Sequence, residues 1–384
     1  MNKKILITSN TSWFIYNFFS SSIVEFSKYG NQIHVIAPKD KYTQKLIDLG
    51  CHYSEINIDR SGINLFSEIK ALLRLYYSLS IISPDCVLNF TPKLNIYSVL
   101  CCKVLNIKVI NSIAGSGAIL SDSGFKSLVG RLLLRLSQPL ADHIIFQNND
   151  DLSIYLNNKF ITKKKSSRVK GIGVHLKKFT PYESDNDGVV RFILFARMLK
   201  NKGVIEFLHA AEAVNEYYQT RKKAGYKIPR YHFSLLGFID EAHPKGIPFS
   251  LLKQWDKKPF ISYIGETDDV FNIVKHYDCV VLPSYYREGI PQCLIEACAM
   301  AKPIITTNNI GCKETVIDGV SGFIIQSKCV PDLKNAIVKM IELSHSQRIE
   351  MGKKGRKKAE RDFCHITVSK HYMDTIQKIL FKYS

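Results

Sequence analysis

At 384 residues the chain is long enough for two domains of ordinary size, and its 46% hydrophobic and 23% charged residues exclude a disordered or fibrous chain. The formal net charge of +19 is uneven: residues 1–180 hold 23 Lys or Arg against 11 Asp or Glu, and the remainder carries +7. Such an excess draws nucleic acid, a lipid surface or phosphorylated ligands, or serves solubility alone, and does not by itself choose among them.

The first residues, MNKKILITSN, run straight into a strand without the apolar stretch of a signal peptide, so no leader is expected. Strand-like runs follow at Lys4–Thr8 (KILIT), Gln32–Ala37 (QIHVIA), Cys86–Asn89 (CVLN), Lys108–Ile113 (KVINSI) and 143–147 (HIIFQ). Between them lie candidate helices at 13–29, closed by Gly30, and at 64–80. Two segments, 69–82 and 126–140, mix large apolar residues with Lys and Arg. Each suits a helix lying in a lipid interface, or equally a core-facing helix with a solvated edge. The basic run KKKSSRVK, 163–170, reads as an exposed loop. No run of about 18 apolar residues occurs, so no bilayer-spanning helix is expected.

Turn formers and charge gather near 171–187, and a linker is placed at 175–187. The alternation then resumes at 189–196, 231–236, 261–264, Cys279–Leu282, 304–306 and Gly322–Ile325. Strands too apolar to face water, alternating with helices, predict parallel sheets covered on both sides. The expected organisation is an N-terminal Rossmann-like domain over 1–180, a second over 181–360, and a C-terminal helix over 361–384 able to pack back on the first. The segment 346–381 is helical in pattern and has no partner strands. The ten cysteines include no CxxC pair and no metal-ligand spacing, and Cys101 and Cys102 are adjacent, which points to a reducing compartment.

Ligands of open α/β sheets sit outside the carboxyl ends of the strands, so chemistry is sought in the loops after them. Residues 280–325 carry the strongest signal: a buried strand ends at Ser284, a loop brings Glu288 and Gly289, and Pro291 marks a helix start. Amides at such a start, with the helix dipole, suit a phosphate group. Glu296 follows on the helix, and a carboxylate at each end of this span suits the hydroxyls of two sugar rings joined by a diphosphate. In isolation, two glutamates so spaced are most often a loop charge and a solvated helix residue. After the first strand of the second domain, FARMLKNKG places Arg197 five residues before Lys202. A rigid guanidinium fork and a compact ammonium suit a diphosphate; the bland alternative is a pair of solvated cations.

The pattern E-G-x-P-x-x-x-x-E-A, followed by A-x-x-x-P-I-I-T and G-C-K-E-T-V-x-D-G, resembles retaining glycosyltransferases of family 4. These have the GT-B fold, two doubly wound Rossmann-like domains facing across a cleft. The resemblance implies that Glu288 contacts the donor sugar and Glu296 the nucleotide ribose. It also implies that Gly289, Ile290, Pro291 and Gln292 approach the donor, and that Arg197 and Lys202 hold the diphosphate. YIGETDDV, 263–270, resembles the stretch whose backbone near Tyr263 and Ile264 reads the base. The segments 10–21, 35–42, 111–120 and 171–179 resemble a bacterial subgroup that adds hexoses or N-acetylhexosamines to polyprenyl-diphosphate-linked glycans. One departure is the first loop, where many members have a Gly-Gly pair and this chain has Ser9-Asn10-Thr11-Ser12-Trp13. Asn10 and Ser12 are the candidates to present polar groups there. Gly115 and Gly117 fit either close backbone approach to a ligand or a structural turn.

The function so implied is retaining transfer from a nucleotide sugar, UDP-linked, to a polyprenyl-diphosphate-linked glycan in O-antigen or capsule synthesis. Arg197, Lys202 and the helix start supply the positive charge, so no metal and no other cofactor are expected. The expected setting is cytoplasmic and peripheral on the anionic inner face of the plasma membrane. Alternatives are a GT-B sugar-nucleotide epimerase, a phosphorylase, for which no pyridoxal-phosphate lysine context is seen, and a basic nucleic-acid-binding protein. No zinc-finger, RRM or homeodomain pattern supports the last.

Overall fold

The computed structural model describes residues 2–56, 65–115 and 124–381. The chain forms two compact units, one of Met1–Gly173 with Cys364–Ser384 and one of Val174–Phe363. The first crossing therefore falls between Gly173 and Val174, and residues 175–187 belong to the second unit.

In the first unit, β1 (Lys4–Thr8), β2 (Gln32–Ala37), β3 (His52–Glu55), β4 (Cys86–Asn89), β5 (Lys108–Ile113), β6 (His143–Phe146) and β7 (Ser166–Arg168) form one sheet in the order β3-β2-β1-β4-β5-β6-β7. Every pairing is parallel. Alternation along β1 decides the layering: Ile5 and Ile7 enter one core, and Leu6 enters the other. On the first face lie α1 (Ser12–Lys28) and α2 (Thr43–Asp48). Thr11 starts α1, its Oγ1 accepting the Phe14 N–H at 3.0 Å. On the other face lie α3 (Leu65–Ile82), α4 (Pro92–Leu105), α5 (Phe125–Ser137) and α6 (Asn149–Asn157), with Leu75, Val99, Leu134 and Tyr155 in the core.

The strands β3 and β7 were not foreseen from sequence. Both are short, polar edge strands, HYSE and SSR, with no apolar run to mark them. The run 163–170, read as an exposed loop, in fact supplies β7.

The second unit has six parallel strands, β8 (Val189–Phe195), β9 (Arg230–Leu236), β10 (Ile261–Gly265), β11 (Cys279–Leu282), β12 (Ile304–Thr307) and β13 (Gly322–Ile325), in the order β10-β9-β8-β11-β12-β13. Its helices are α7 (Val204–Lys223), α8 (Phe249–Asp256), α9 (Val270–Val274), α10 (Gln292–Ala299), α11 (Val330–Glu342) and α12 (His345–Asp362). Phe192 and Leu194 of β8 pack with α7 and α11, while Ile193 and Phe195 pack with α10 on the opposite face. Ser344 and Gln347 form a reciprocal cap that starts α12.

The terminal helical segment 346–381 divides between the units. The helix α12 packs against α10, whereas α13 (His365–Phe381) packs on α1. Its Tyr372 is fully buried, meets Phe19 edge-on at 5.3 Å, and its hydroxyl lies 2.7 Å from Ser112 Oγ. Burial of a side chain of this size contributes about 2–3 kcal/mol. All ten cysteines are free thiols.

Candidate functional site

In both units the strand order reverses once, between β1 and β4 and between β8 and β11. At such a point the helices leave on opposite faces and open a crevice at the carboxyl ends. The β8 and β11 loops carry most of the sequence-predicted residues.

After β8, a turn of 3-10 helix over Lys200–Lys202 leads to Gly203 at φ +80° and then α7. A Cβ at Gly203 would lie 2.3 Å from Pro283 O, so only glycine lets this turn sit against the β11 loop. Arg197 is exposed at its start, and Lys202 points inward.

The β11 loop, 283–291, is fastened on both sides. The Tyr285 and Tyr286 amides both donate to Asn201 O at 3.1 Å. From β12, Thr307 Oγ1 donates to Ser284 O at 2.6 Å, and Asn309 Nδ2 donates to Tyr286 O at 2.6 Å. Gly311, at φ +79°, abuts Gly289 O so closely that a Cβ would stand 1.5 Å from it. This scaffold fixes Glu288. Lys202 Nζ donates to Glu288 Oε2 at 2.5 Å, and the fully buried Ser284 Oγ lies 2.8 Å from Glu288 Oε1. Ser284 Oγ is also 3.1 Å from Asn201 O, so its single proton serves one acceptor at a time. The Lys202 and Glu288 side chains are only 15% and 12% exposed. Burial alone would depress the Lys202 pKa; the Glu288 carboxylate more than offsets it, and the ammonium is held above its usual range, with Arg197 nearby opposing.

Pro291 is the N-cap of α10 rather than its first helical residue, and no side chain caps this end. Gln292 Nε2 donates to Glu296 Oε1 at 3.3 Å. Burial pushes the Glu296 carboxyl up to about 7, against the Gln292 hydrogen bond and the more distant Lys178. Ile290 is buried and Gly289 faces Gly311. Ile264 stands exposed near the end of β10, while Tyr263 OH donates to Gly237 O at 2.8 Å.

The structure thus gathers Arg197, Lys202, Glu288, Gly289, Ile290, Pro291, Gln292 and Glu296 at the carboxyl edge of one sheet. Asn10 and Gly115 lie in the first unit, beyond β1 and β5, with Gly115 at φ +112°. Ser12 does not present its hydroxyl to a ligand. It is fully buried, donates to Pro38 O at 2.9 Å, and lies 3.3 Å from both Thr43 Oγ1 and Tyr53 OH. Gly117 lies outside the described residues. Sequence reasoning missed Ser284, Asn201, Thr307 and Gly311. Only Gly311 carried a signal, as the first residue of G-C-K-E-T.

With this geometry in place, two family sequence models match the chain. The family described as "Glycosyl transferases group 1" matches residues 181–358, and "Glycosyl transferase 4-like" matches residues 4–148. The chain belongs to these glycosyltransferases. It is 27% identical to the N,N'-diacetylbacillosaminyl-diphospho-undecaprenol alpha-1,3-N-acetylgalactosaminyltransferase of Campylobacter jejuni, over 85% of this chain and 86% of that protein. It is 24% identical to the UDP-Gal:alpha-D-GlcNAc-diphosphoundecaprenol alpha-1,3-galactosyltransferase of Escherichia coli, over 73% and 72% of the two. The solved structure of Anabaena HepE in complex with UDP superposes with a TM-score of 0.76 at 14% identity, covering 98% of this chain and 100% of that one. The fold of this glycosyltransferase is GT-B, built from two Rossmann-like units.

Proposed function

We propose that this glycosyltransferase moves a hexose or N-acetylhexosamine from a UDP-sugar to a polyprenyl-diphosphate-linked glycan, with retention at the anomeric carbon. The observation that carries this reading is the Lys202–Glu288–Ser284 arrangement beside Arg197 and Glu296. It sets two cations and two carboxylates at the edge of one sheet, where a diphosphate and two sets of sugar hydroxyls need them. The relatives named for undecaprenol-linked substrates support the acceptor class.

In this mechanism Arg197 and Lys202 stabilise the departing diphosphate, and the N-terminus of α10 adds its partial positive charge. These groups supply the compensation a divalent cation gives elsewhere, so transfer is metal-independent. Glu288 accepts from donor-sugar hydroxyls and Glu296 from the ribose. The bond from the anomeric carbon to phosphate oxygen breaks and the bond to the acceptor oxygen forms on the same face. The acceptor proton passes to the leaving phosphate. Because Lys202 and Glu288 are paired with each other, donor entry must redirect the ammonium toward the diphosphate. The lipid-linked acceptor sets the reaction at the cytoplasmic face of an anionic membrane, and the destination is an O-antigen or capsule.

Calorimetric titration with UDP, GDP and ADP, beside Arg197→Ala and Glu296→Ala, tests the donor site. Preference for UDP that both variants lose is the expected result. Binding of none of the three nucleotides, or binding unaffected by either substitution, would remove the assignment.

A further inference from the structure

The layer formed by α3, α4 and α5 carries an apolar surface on the side away from its core. In α3, Ala71, Leu75 and Leu79 face the sheet and are buried, as an ordinary surface helix requires. Yet Ile69, Leu73, Tyr77 and Ile81, at near four-residue intervals on the opposite side, are 47–81% exposed. In α5 the pattern repeats: Leu134 is buried, and Leu128, Leu132 and Leu136 are 57–65% exposed. The helix α4 packs against both neighbours and adds exposed Val104. Scattered exposed apolar residues need no explanation, but two parallel stripes in one layer do.

The charge of this layer is one-sided. The sequences of α3, α4 and α5 contain seven Lys or Arg and a single carboxylate, Glu68. Glu68 is turned inward, where Lys93 Nζ donates to it at 2.5 Å and Tyr97 OH at 2.6 Å. Lys70, Arg74, Lys103, Arg131 and Arg135 are exposed among the apolar residues. A second copy of this chain, meeting the face across a two-fold axis, would set cation against cation. Nucleic acid would satisfy the charges and leave the leucines wet. A bilayer surface with anionic headgroups satisfies both at once, since apolar side chains enter the acyl boundary while Lys and Arg reach the headgroups. Among the described residues no helix is long and apolar enough to cross a membrane, so the contact is one of lying on the surface.

We propose that the outer face of α3 and α5 docks this glycosyltransferase on an anionic lipid surface, with Leu73, Tyr77, Ile81, Leu128, Leu132 and Leu136 entering the interface. This names the face for the membrane partner proposed above and rests on that reading for its purpose, not for its evidence. The test is co-sedimentation of the full chain with phosphatidylcholine vesicles, with or without an equal part of phosphatidylglycerol, at low and high salt. Wild type should bind the mixed vesicles, and at least about tenfold more weakly the pure phosphatidylcholine ones. Leu73→Gln/Tyr77→Gln/Leu132→Gln/Leu136→Gln should lower binding at least about tenfold at low salt. Lys70→Glu/Arg74→Glu/Arg131→Glu/Arg135→Glu should lower it by roughly a hundredfold and abolish its salt dependence. Thermal melting and UDP titration of both variants should match wild type. Wild type that stays in the supernatant with mixed vesicles overturns the proposal, as do two folded variants that bind like wild type. So does a dimer in sedimentation velocity that the apolar variant dissociates, because the face then belongs to a second copy. Loss of vesicle binding in both variants with no UDP binding by wild type would uphold the docking face and remove the donor reading alone.

Discussion

Glu288→Gln should change nucleotide binding and turnover in opposite directions. Glu288 and Lys202 are paired at 2.5 Å with both side chains nearly enclosed, so glutamine leaves a buried ammonium without its counter-charge. Removing one partner of a fully buried pair costs about 3–5 kcal/mol. The residual exposure here, and a glutamine oxygen that still accepts from Lys202, bring the expected loss to about 2 kcal/mol. In a unit of this size that lowers the melting temperature by roughly 4–8 °C. A diphosphate placed on Lys202 restores the missing negative charge, so UDP should bind about tenfold more tightly than to wild type, near 1.4 kcal/mol. Transfer should fall more than about a hundredfold, because the group proposed to hold the donor sugar is neutral. Calorimetry with UDP, a melting curve with and without it, and a radiolabelled sugar-transfer assay measure all three. UDP affinity that is unchanged or weaker in a folded variant would refute the idea that Lys202 exchanges Glu288 for the diphosphate.

Four further outcomes follow from the same geometry. The Glu296 carboxyl is raised to about 7 from an ordinary 4.5, so across that window the folded chain holds a proton the unfolded chain has lost, and stability falls as pH rises. The span amounts to at most about 3 kcal/mol, less what solvent at the partly exposed side chain screens; Glu296→Gln should flatten the pH dependence of urea midpoints, and parallel curves would contradict the burial argument. Gly311→Ala drives a methyl into Gly289 O, so the β11 loop must move; UDP binding should weaken at least about tenfold while circular dichroism is kept, at a strain of about 1–3 kcal/mol. Ser284→Ala should lower kcat several-fold with KM little changed, Ser284→Thr restoring part of it; equal loss in both would mean the hydroxyl does not orient Glu288. Tyr372→Phe removes the hydroxyl beside Ser112 and should destabilise the first unit by about 1–2 kcal/mol in urea unfolding, leaving UDP affinity unchanged.

The central strands were legible because KILIT, CVLN and CVVL are buried on both faces, and only a covered parallel sheet makes such runs useful. The edge strands of the first sheet were not, since HYSE and SSR carry no apolar run, whereas the edges of the second sheet, β10 and β13, were marked by ISYI and GFII. That omission had a cost at the site. Tyr53 lies on β3, and it is Tyr53 with Thr43 and Pro38 that encloses Ser12. Without β3, Ser12 reads as a polar residue at a loop mouth. For α13 the sequence offered only that it could pack back on the first domain; its contacts were hidden, because the Ser22–Ser369 contact joins positions 347 apart and no local pattern encodes it. Glu288, Glu296, Arg197 and Lys202 stood out because the motifs around them resemble those of family 4, not from their spacing alone. Their arrangement did not: Lys202 and Glu288 are 86 residues apart and meet only because β8 and β11 are neighbours.

That neighbourhood explains why the site stands at this point of the sheet and at no other. The helix α7 leaves β8 toward one face, with Val204 and Phe207 in the core it shares with Phe192 and Leu194. The helix α10 leaves β11 toward the other, with Leu294 and Ile295 beside Ile193 and Phe195. The two helix starts diverge, so the backbone between them cannot close over the strand ends, and polar side chains occupy the gap. Lys202 enters it from one side and Glu288 from the other, and each neutralises the other where water is largely excluded. Between β8 and β9 the helices that follow, α7 and α8, share one core on a common face, with Phe207 and Leu252 both in it, and leave no such opening. A loop that must hold a buried charge there also needs stiffness, which the Asn201 carbonyl on one flank and Thr307, Asn309 and Gly311 on the other provide. On one flank the anchor is a backbone carbonyl, which any residue supplies; on the other the Thr307 hydroxyl, the Asn309 amide and Gly311 meet the loop only because β11 and β12 are paired, and for that reason the support of the site left little trace in the sequence while its charges left a clear one.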